Sequence, residues 1–256
     1  MPPSSPSPLV TSPTRVAFAL DFPDVEAARA AVLRVKGAIG MVKVGLELFV
    51  HAGPAALAIA KEAGLPAFLD LKLHDIPETV ERAVAAASAL GASVLTVHAS
   101  GGPAMVKRAV LRAEKDGRGL RIAAVTVLTS LDAGDLAAIG VADASVLAHV
   151  ERLAKMAYAE GVRAFVCSPH EAGALRAALG DDATLITPGV RSGGDEAADQ
   201  KRVMSAREAV AAGADWVVVG RPIRDASDPR AAAEAIAREV EEAHAARLQA
   251  QKRGAS

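Results

Sequence analysis

The sequence predicts an α/β fold, a single (β/α)8 barrel of the TIM type. Three observations predict it. Short apolar, β-branched runs alternate with Ala-, Leu-, Glu- and Arg-rich segments of helical period, eight of each within 256 residues. Several helical segments close on a glycine just before the next apolar run, at Gly64, Gly91, Gly161 and Gly213, the chemistry of a helix C-cap. No Gly-x-Gly-x-x-Gly follows the first run. An open doubly wound sheet, the alternative, usually has fewer strands and carries that loop.

The elements follow in order. Residues 1–14, MPPSSPSPLVTSPT, are rich in Pro, Ser and Thr, with no basic n-region and no long apolar core. They read as a disordered leader, not a signal peptide. The catalytic barrel is expected over residues 15–247. Its strands are expected at 16–21, 41–45, 67–72, 93–98, 121–128, 164–168, 184–187 and 216–220. Its helices are expected at 24–36, 53–63, 78–90, 103–115, 143–160, 170–179, 202–212 and 229–247. Residues 248–256 read as a frayed polar tail.

Composition excludes several classes. A hydrophobic content of 51% is ample for a core, while a net charge of −1 and 3% aromatic residues offer nucleic acid neither attraction nor stacking platforms. No apolar run approaches the ~20 residues of a membrane span. The one cysteine, Cys167, rules out an internal disulfide and suits a reducing compartment; in a strand it reads as a small core hydrophobe. The histidines are scattered without zinc-ligand spacing. His51, His149 and His170, like Met105 and Met204, read as parts of helical segments, and His74 as a residue of the third strand's mouth.

The third strand organises the chemistry. In residues 68–80, Phe-Leu-Asp-Leu-Lys-Leu-His-Asp-Ile-Pro-Glu-Thr-Val, apolar residues alternate with Asp70, Lys72 and His74. Asp70 and Lys72 then point the same way, with Cα atoms ~7 Å apart. Asp75 stands where Pro77 and Glu78 signal a helix start. An ordinary reading stands beside the functional one: Asp75 as a helix cap and Asp70–Lys72 as an ion pair at the sheet rim. In a barrel the reactive groups sit at the C-terminal strand ends. There the sequence puts Asp21, Lys43, Asp70 with Lys72, His98, Thr129-Ser130, Pro188-Gly189-Val190-Arg191 and Gly220-Arg221. Alternating carboxylates and ammoniums on three adjacent strands form a chain of ion pairs. Buried pairs are often replaceable by apolar residues without loss, so stability is a weak reason to keep them.

A phosphate in such barrels usually sits at the loops after strands 7 and 8. Gly189 and Gly220 allow backbone to approach an anion, and Arg191 and Arg221 supply charge-assisted donors. The polar stretch between Val190 and Arg202 suits two readings, a lid hinged at Gly193-Gly194 that brings Gln200 inward, or a solvated loop without a role.

These motifs resemble the orotidine 5′-phosphate decarboxylase family. The likeness rests on Asp70-Leu-Lys-Leu-His-Asp-Ile-Pro-Glu-Thr79, with Ala-Leu-Asp21, Lys43-Val-Gly, Leu-Thr-Ser130, Thr-Pro-Gly-Val-Arg191, Gln200 and Val-Gly-Arg221. It covers essentially all of residues 15–245. The resemblance implies a cytoplasmic homodimer that forms UMP in de novo pyrimidine synthesis, with no metal or organic cofactor. It implies that Lys72 donates a proton to C6, that Asp70 lies against the substrate carboxylate, and that Asp21 and Lys43 bind ribose hydroxyls and keep the charges in register. Asp75 and Thr79 would enter the partner's site. Thr129 and Ser130 would meet the pyrimidine edge beside Pro188, and Gln200, Gly220, Arg221 and Arg191 the phosphate. Glu78 departs from the pattern, where Asn is more usual, and the leader is additional to it. The nearest rivals are Mg2+-dependent sugar-phosphate barrels sharing D-x-K-x-x-D, such as 3-keto-gulonate-6-phosphate decarboxylase or hexulose-phosphate synthase. The other is a non-catalytic nucleotide-binding module, which would not need Lys72.

Overall fold

The structure, a computed structural model, describes residues 9, 12, 14–142, 145–190 and 204–254. Its strands are β1 (Val16–Ala19), β2 (Met41–Val44), β3 (Ala67–Leu73), β4 (Val94–His98), β5 (Arg121–Val125), β6 (Ala164–Val166), β7 (Thr184–Pro188) and β8 (Trp216–Val219). They form a closed barrel in sequence order, every neighbouring pair parallel, with Ala17 of β1 facing Val218 of β8 at the seam. The helices are α1 (Val25–Val35), α2 (Leu46–Ala52), α3 (Pro54–Ala63), α4 (Pro77–Ala89), α5 (Pro103–Asp116), α6 (Ala133–Ala138), α7 (Val146–Ala159), α8 (Pro169–Leu179), α9 (Ala206–Ala212), α10 (Arg221–Arg224) and α11 (Pro229–Gly254). The fold is the expected (β/α)8 barrel.

Local chemistry accounts for the helix starts. Asp24 accepts the Ala27 N–H at 2.8 Å to open α1, and Ser168–Glu171 and Ser205–Glu208 form reciprocal capping boxes on α8 and α9. Residues 53–63 begin at Gly53-Pro54, and α2 before that break was not expected. Nor was α6, which Asp132 and Asp135 cap reciprocally, nor the single turn α10 after β8. The last helix runs on to Gly254, past the expected end at 247. The expected Asp75–Glu78 cap is corrected as well. Asp75 Oδ1 accepts from the adjacent Ile76 N–H at 2.6 Å, Glu78 pairs with Arg82, and α4 has no side-chain cap.

Strand pleating divides the apolar residues into two bodies. Outward-facing Phe18, Val42, Leu69, Leu95, Leu185 and Val217 join the buried helix faces in one large cluster. Inward-facing Ala17, Ala19, Met41, Phe68, Val94, Ala123, Ala164, Ile186, Trp216 and Val218 form a second. Small alanines on β1, β5 and β6 leave room for Met41, Phe68 and Trp216 in the narrow interior. Lys43, Asp70 and Thr96 each lie two residues beyond an inward residue, Met41, Phe68 and Val94. The period of two therefore turns these polar side chains into the same interior, above an apolar floor.

One residue ahead of β1 also belongs to that interior. Leu9, 8% exposed, belongs to the inner cluster. A Cβ on Gly40, just before β2, would lie 2.0 Å from the Thr14 carbonyl oxygen and 2.5 Å from Ser12 Oγ. Gly40 thus makes room for Ser12 and Thr14 beside the start of β2. Burial of the apolar Leu9 side chain offsets part of the entropy of ordering it.

Candidate active site

Four charged side chains from three strand ends form one continuous row. Lys72 Nζ donates to both Asp70 oxygens at 2.9 Å, Lys43 Nζ lies 3.5 Å from Asp70 Oδ2, and Lys43 Nζ lies 3.8 Å from Asp21 Oδ1. The row grades outward, with side-chain exposures of 13% for Lys43 and Asp70, 29% for Lys72 and 50% for Asp21. Two glycines keep it clear. A Cβ on Gly45 would meet Lys43 Nζ at 3.3 Å, and one on Gly220 would meet Asp21 Oδ2 at 3.2 Å.

The third strand reaches this geometry by an irregularity that alternation alone does not foretell. The β3–β4 register shifts between Leu69 and Leu73, and Lys72 has φ 50, the left-handed region. Its backbone N–H donates to Thr96 Oγ1 at 2.8 Å, and the Thr96 hydroxyl donates to Asp70 Oδ1 at 3.0 Å. Thr96 is fully buried and was missed in the sequence. The signal was a hydroxyl inside the apolar run Val-Leu-Thr-Val, in the pleat position that Lys43 and Asp70 occupy on their own strands.

Electrostatics favour an ionised Asp70. Burial alone would raise its pKa, but the Lys43 and Lys72 charges, with hydrogen bonds from Lys72 and Thr96, hold the carboxyl below its usual value. Beside the row, the His74 and His98 rings stack obliquely with centroids 5.5 Å apart. Burial, then His74 and Lys72, push the His98 pKa down against the opposing pull of Asp70.

The row forms one wall of a cavity of about 280 Å3, near the ~300 Å3 lower end of small-ligand pockets. Ala19, Phe68 and Val218 belong both to the cavity wall and to the inner cluster, and Val166 of the wall packs against it, so the apolar interior is the cavity's floor. Val125, Val127 and Leu128 form an apolar side, with Thr129 among them. Pro188, Gly189, Val190, Gly220 and Arg221 line the wall at the ends of β7 and β8. Cys167 also lines it, and burial pushes its thiol pKa up, which keeps it neutral and a poor nucleophile.

Not every expected residue is gathered here. Ser130 is exposed on a turn and lies off the wall, because β5 ends at Val125 rather than 128 and the alternation stops with it. Asp75 and Thr79 are exposed at the start of α4, outside their own chain's cavity. Arg191, Gln200 and the expected Gly193-Gly194 hinge lie outside the described residues. Among the described residues no group of three or more His, Cys, Asp or Glu side chains is placed to hold a metal ion. The Lys43 and Lys72 ammoniums that flank Asp70 would repel one.

The family model described as orotidine 5′-phosphate decarboxylase / HUMPS family matches residues 14–236. The orotidine 5′-phosphate decarboxylase of Anaeromyxobacter sp. (strain K) is 55% identical over 223 residues, covering 87% of this chain and 96% of that protein. The one from Thermobifida fusca (strain YX) is 51% identical over 229 residues, covering 88% and 95%. The crystal structure of orotidine 5′-phosphate decarboxylase from Lactobacillus acidophilus superposes with a TM-score of 0.76 at 36% identity, covering 89% of this chain and 99% of that one.

Proposed function

Because the chain belongs to the orotidine 5′-phosphate decarboxylase / HUMPS family, we propose that it removes CO2 from orotidine 5′-monophosphate to give UMP in de novo pyrimidine biosynthesis. The observation that carries this reading is the Lys72 ammonium, held 2.9 Å from Asp70 at the wall of a cavity with an apolar floor.

The bond from C6 to the carboxylate breaks, its electron pair stays on C6, and CO2 leaves. That pair lies in the ring plane and cannot delocalise into the π system, so fixed charge must stabilise it. Lys72 supplies that charge, then gives a proton to C6 and is left as a neutral amine that regains a proton from water. Asp70 lies against the departing carboxylate. Asp21 and Lys43 bind ribose hydroxyls and hold the row in order. Thr129 meets the pyrimidine edge, with Ser130 on the adjoining turn, and Pro188 packs beside them. Gly220 and Arg221 hold the phosphate, joined by Arg191 and Gln200. Remote phosphate binding then orders the charges around the reacting carbon. No metal or organic cofactor is required.

We further propose a homodimer in which Asp75 and Thr79 complete the partner's site. Both are exposed, Asp75 on the turn after β3 and Thr79 in the first turn of α4, with Ile76 between them at 65% exposure, and α2 after β2 presents Leu46 at 53% and Val50 at 80%. Apolar surface of that kind at adjacent strand ends suits a protein interface. A cytoplasmic setting is in keeping with the free, buried Cys167, and no helix among the described residues is long and apolar enough to cross a membrane.

The Mg2+-dependent sugar-phosphate reading is disfavoured by Asp70, whose oxygens already engage two ammoniums and a hydroxyl. Purified protein treated with EDTA should still consume the orotidine absorbance of orotidine 5′-monophosphate. A flat trace with and without Mg2+ would retire the decarboxylase reading, and activity only with Mg2+ would favour the rival.

A further inference from the structure

Lys72 has an uncommon backbone for the residue on which the proposed chemistry rests. Among the described residues it is the one non-glycine with positive φ, at 50°. A Cβ is crowded in that region, so the conformation persists only where neighbouring contacts over-determine it. The contact that does so is a side chain. Where the β3–β4 register slips, the Lys72 N–H donates at 2.8 Å to Thr96 Oγ1. A hydroxyl has one hydrogen to give, and an ionised carboxylate only accepts. With Lys72 N–H taken on a lone pair, the Thr96 hydrogen goes to Asp70 Oδ1 at 3.0 Å. Thr96 is fully buried, with Val94 and Val97 of its own strand equally buried around it, so it has no water to turn to.

We propose that Thr96 is a positioning residue of this site: its single hydroxyl locks the bulge that aims the Lys72 ammonium and orients the Asp70 carboxylate between Lys72 and Lys43. Thr96 does not itself line the cavity, and it acts through Lys72 and Asp70. The kinetic part of the inference rests on the decarboxylase reading; the geometric part does not. The groups that face Asp70 are Lys72 from its own strand, Lys43 from β2 with Asp21 beyond it, and Thr96 from β4, where His98 also feels its charge.

The test compares the wild-type full chain with Thr96→Val, which removes the hydroxyl, and Thr96→Ser, which keeps it. Carboxyl 13C NMR of Asp-labelled protein, with Asp70→Asn for assignment, follows the Asp70 titration without any turnover. Steady-state kinetics on orotidine 5′-monophosphate follow the consequence. In Thr96→Val, Asp70 should titrate about half a unit to one unit higher. Its kcat should fall roughly tenfold or more while KM moves far less. Thr96→Ser should restore both. Thr96→Ala gives the same comparison should the valine variant not fold. A folded Thr96→Val with the wild-type titration and kcat would overturn the proposal. So would a loss of activity with unchanged titration and no rescue by serine, which would assign Thr96 to packing. A wild type inactive on this substrate would sink the decarboxylase reading instead and leave the titration comparison to decide the geometry.

Discussion

Asp70→Asn isolates the role of the central carboxylate. Asparagine keeps the shape but removes the charge that separates the Lys43 and Lys72 ammoniums. At an effective dielectric of about 20, the Lys43–Asp70 pair at 3.5 Å corresponds to roughly 5 kcal/mol of attraction. The variant loses that term while the desolvation of Lys43, whose side chain is 13% exposed, remains. Removal of one member of a buried pair costs about 3–5 kcal/mol, and Lys72, at 29% exposure, can relax toward solvent. A loss of about 3 kcal/mol at neutral pH is expected, or a midpoint about 6–12 °C lower for a chain of this size.

The pH dependence gives a sharper signature. The folded carboxyl of Asp70 is held below its unfolded value of about 3.9. Its contribution is therefore fully present above that unfolded value and is lost as pH falls through the lower folded one. The difference between wild type and variant should be greatest at neutral pH and shrink below about pH 4. Denaturant titrations across pH would measure it. An Asn variant as stable as wild type at pH 7, or a difference that persists in acid, would refute the reasoning. The first would mean that the row is held in strain for the sake of a ligand, the second that the loss does not come from the carboxylate charge.

Other consequences reach the barrel floor and the dimer. Leu9→Asp should put a charge under the inner cluster and forfeit about 1.5–3 kcal/mol of apolar burial, lowering the midpoint by several degrees. Trp216, the chain's one tryptophan and a member of that cluster, should shift its emission to the red. Wild-type emission in this variant would show that Leu9 does not seal the interior. Asp75→Asn and Lys72→Ala, each inactive alone, should regain partial activity on mixing, because each mixed dimer rebuilds one native site. Verified subunit exchange without recovery would count against Asp75 acting across the interface.

Much of the fold was legible because it is written in short-range patterns. Each strand is a run of apolar residues, and Gly64, Gly161 and Gly213 end helices as a C-cap glycine should. Lys43 and Asp70 were legible for the same reason: the period of two that buries Met41 and Phe68 carries them inward. What was lost depended on contacts between distant segments. Thr96 is ordinary in a strand until the β3–β4 slip puts the Lys72 N–H on it. Leu9 sits in a stretch of disordered composition, and its burial depends on inward residues far along the chain. The α6 cap, Asp132–Asp135, was hidden by Gly134 and Gly140, which argue for loop. Strand β5 stops at Val125 rather than at 128, so Thr129 and Ser130 stand on a turn instead of at a strand end. The Asp75–Glu78 pattern matched a capping box in spacing alone, since Asp75 turned to the neighbouring N–H instead.

The most direct measurement concerns the ring carbon itself. If the Lys72 ammonium stabilises an electron pair at C6 and exchanges a proton with it, the wild-type protein incubated with UMP in deuterium oxide should replace the C6 hydrogen by deuterium, read by proton NMR. Lys72→Ala should bind UMP and leave that hydrogen in place. Exchange that proceeds equally in the alanine variant would contradict the account.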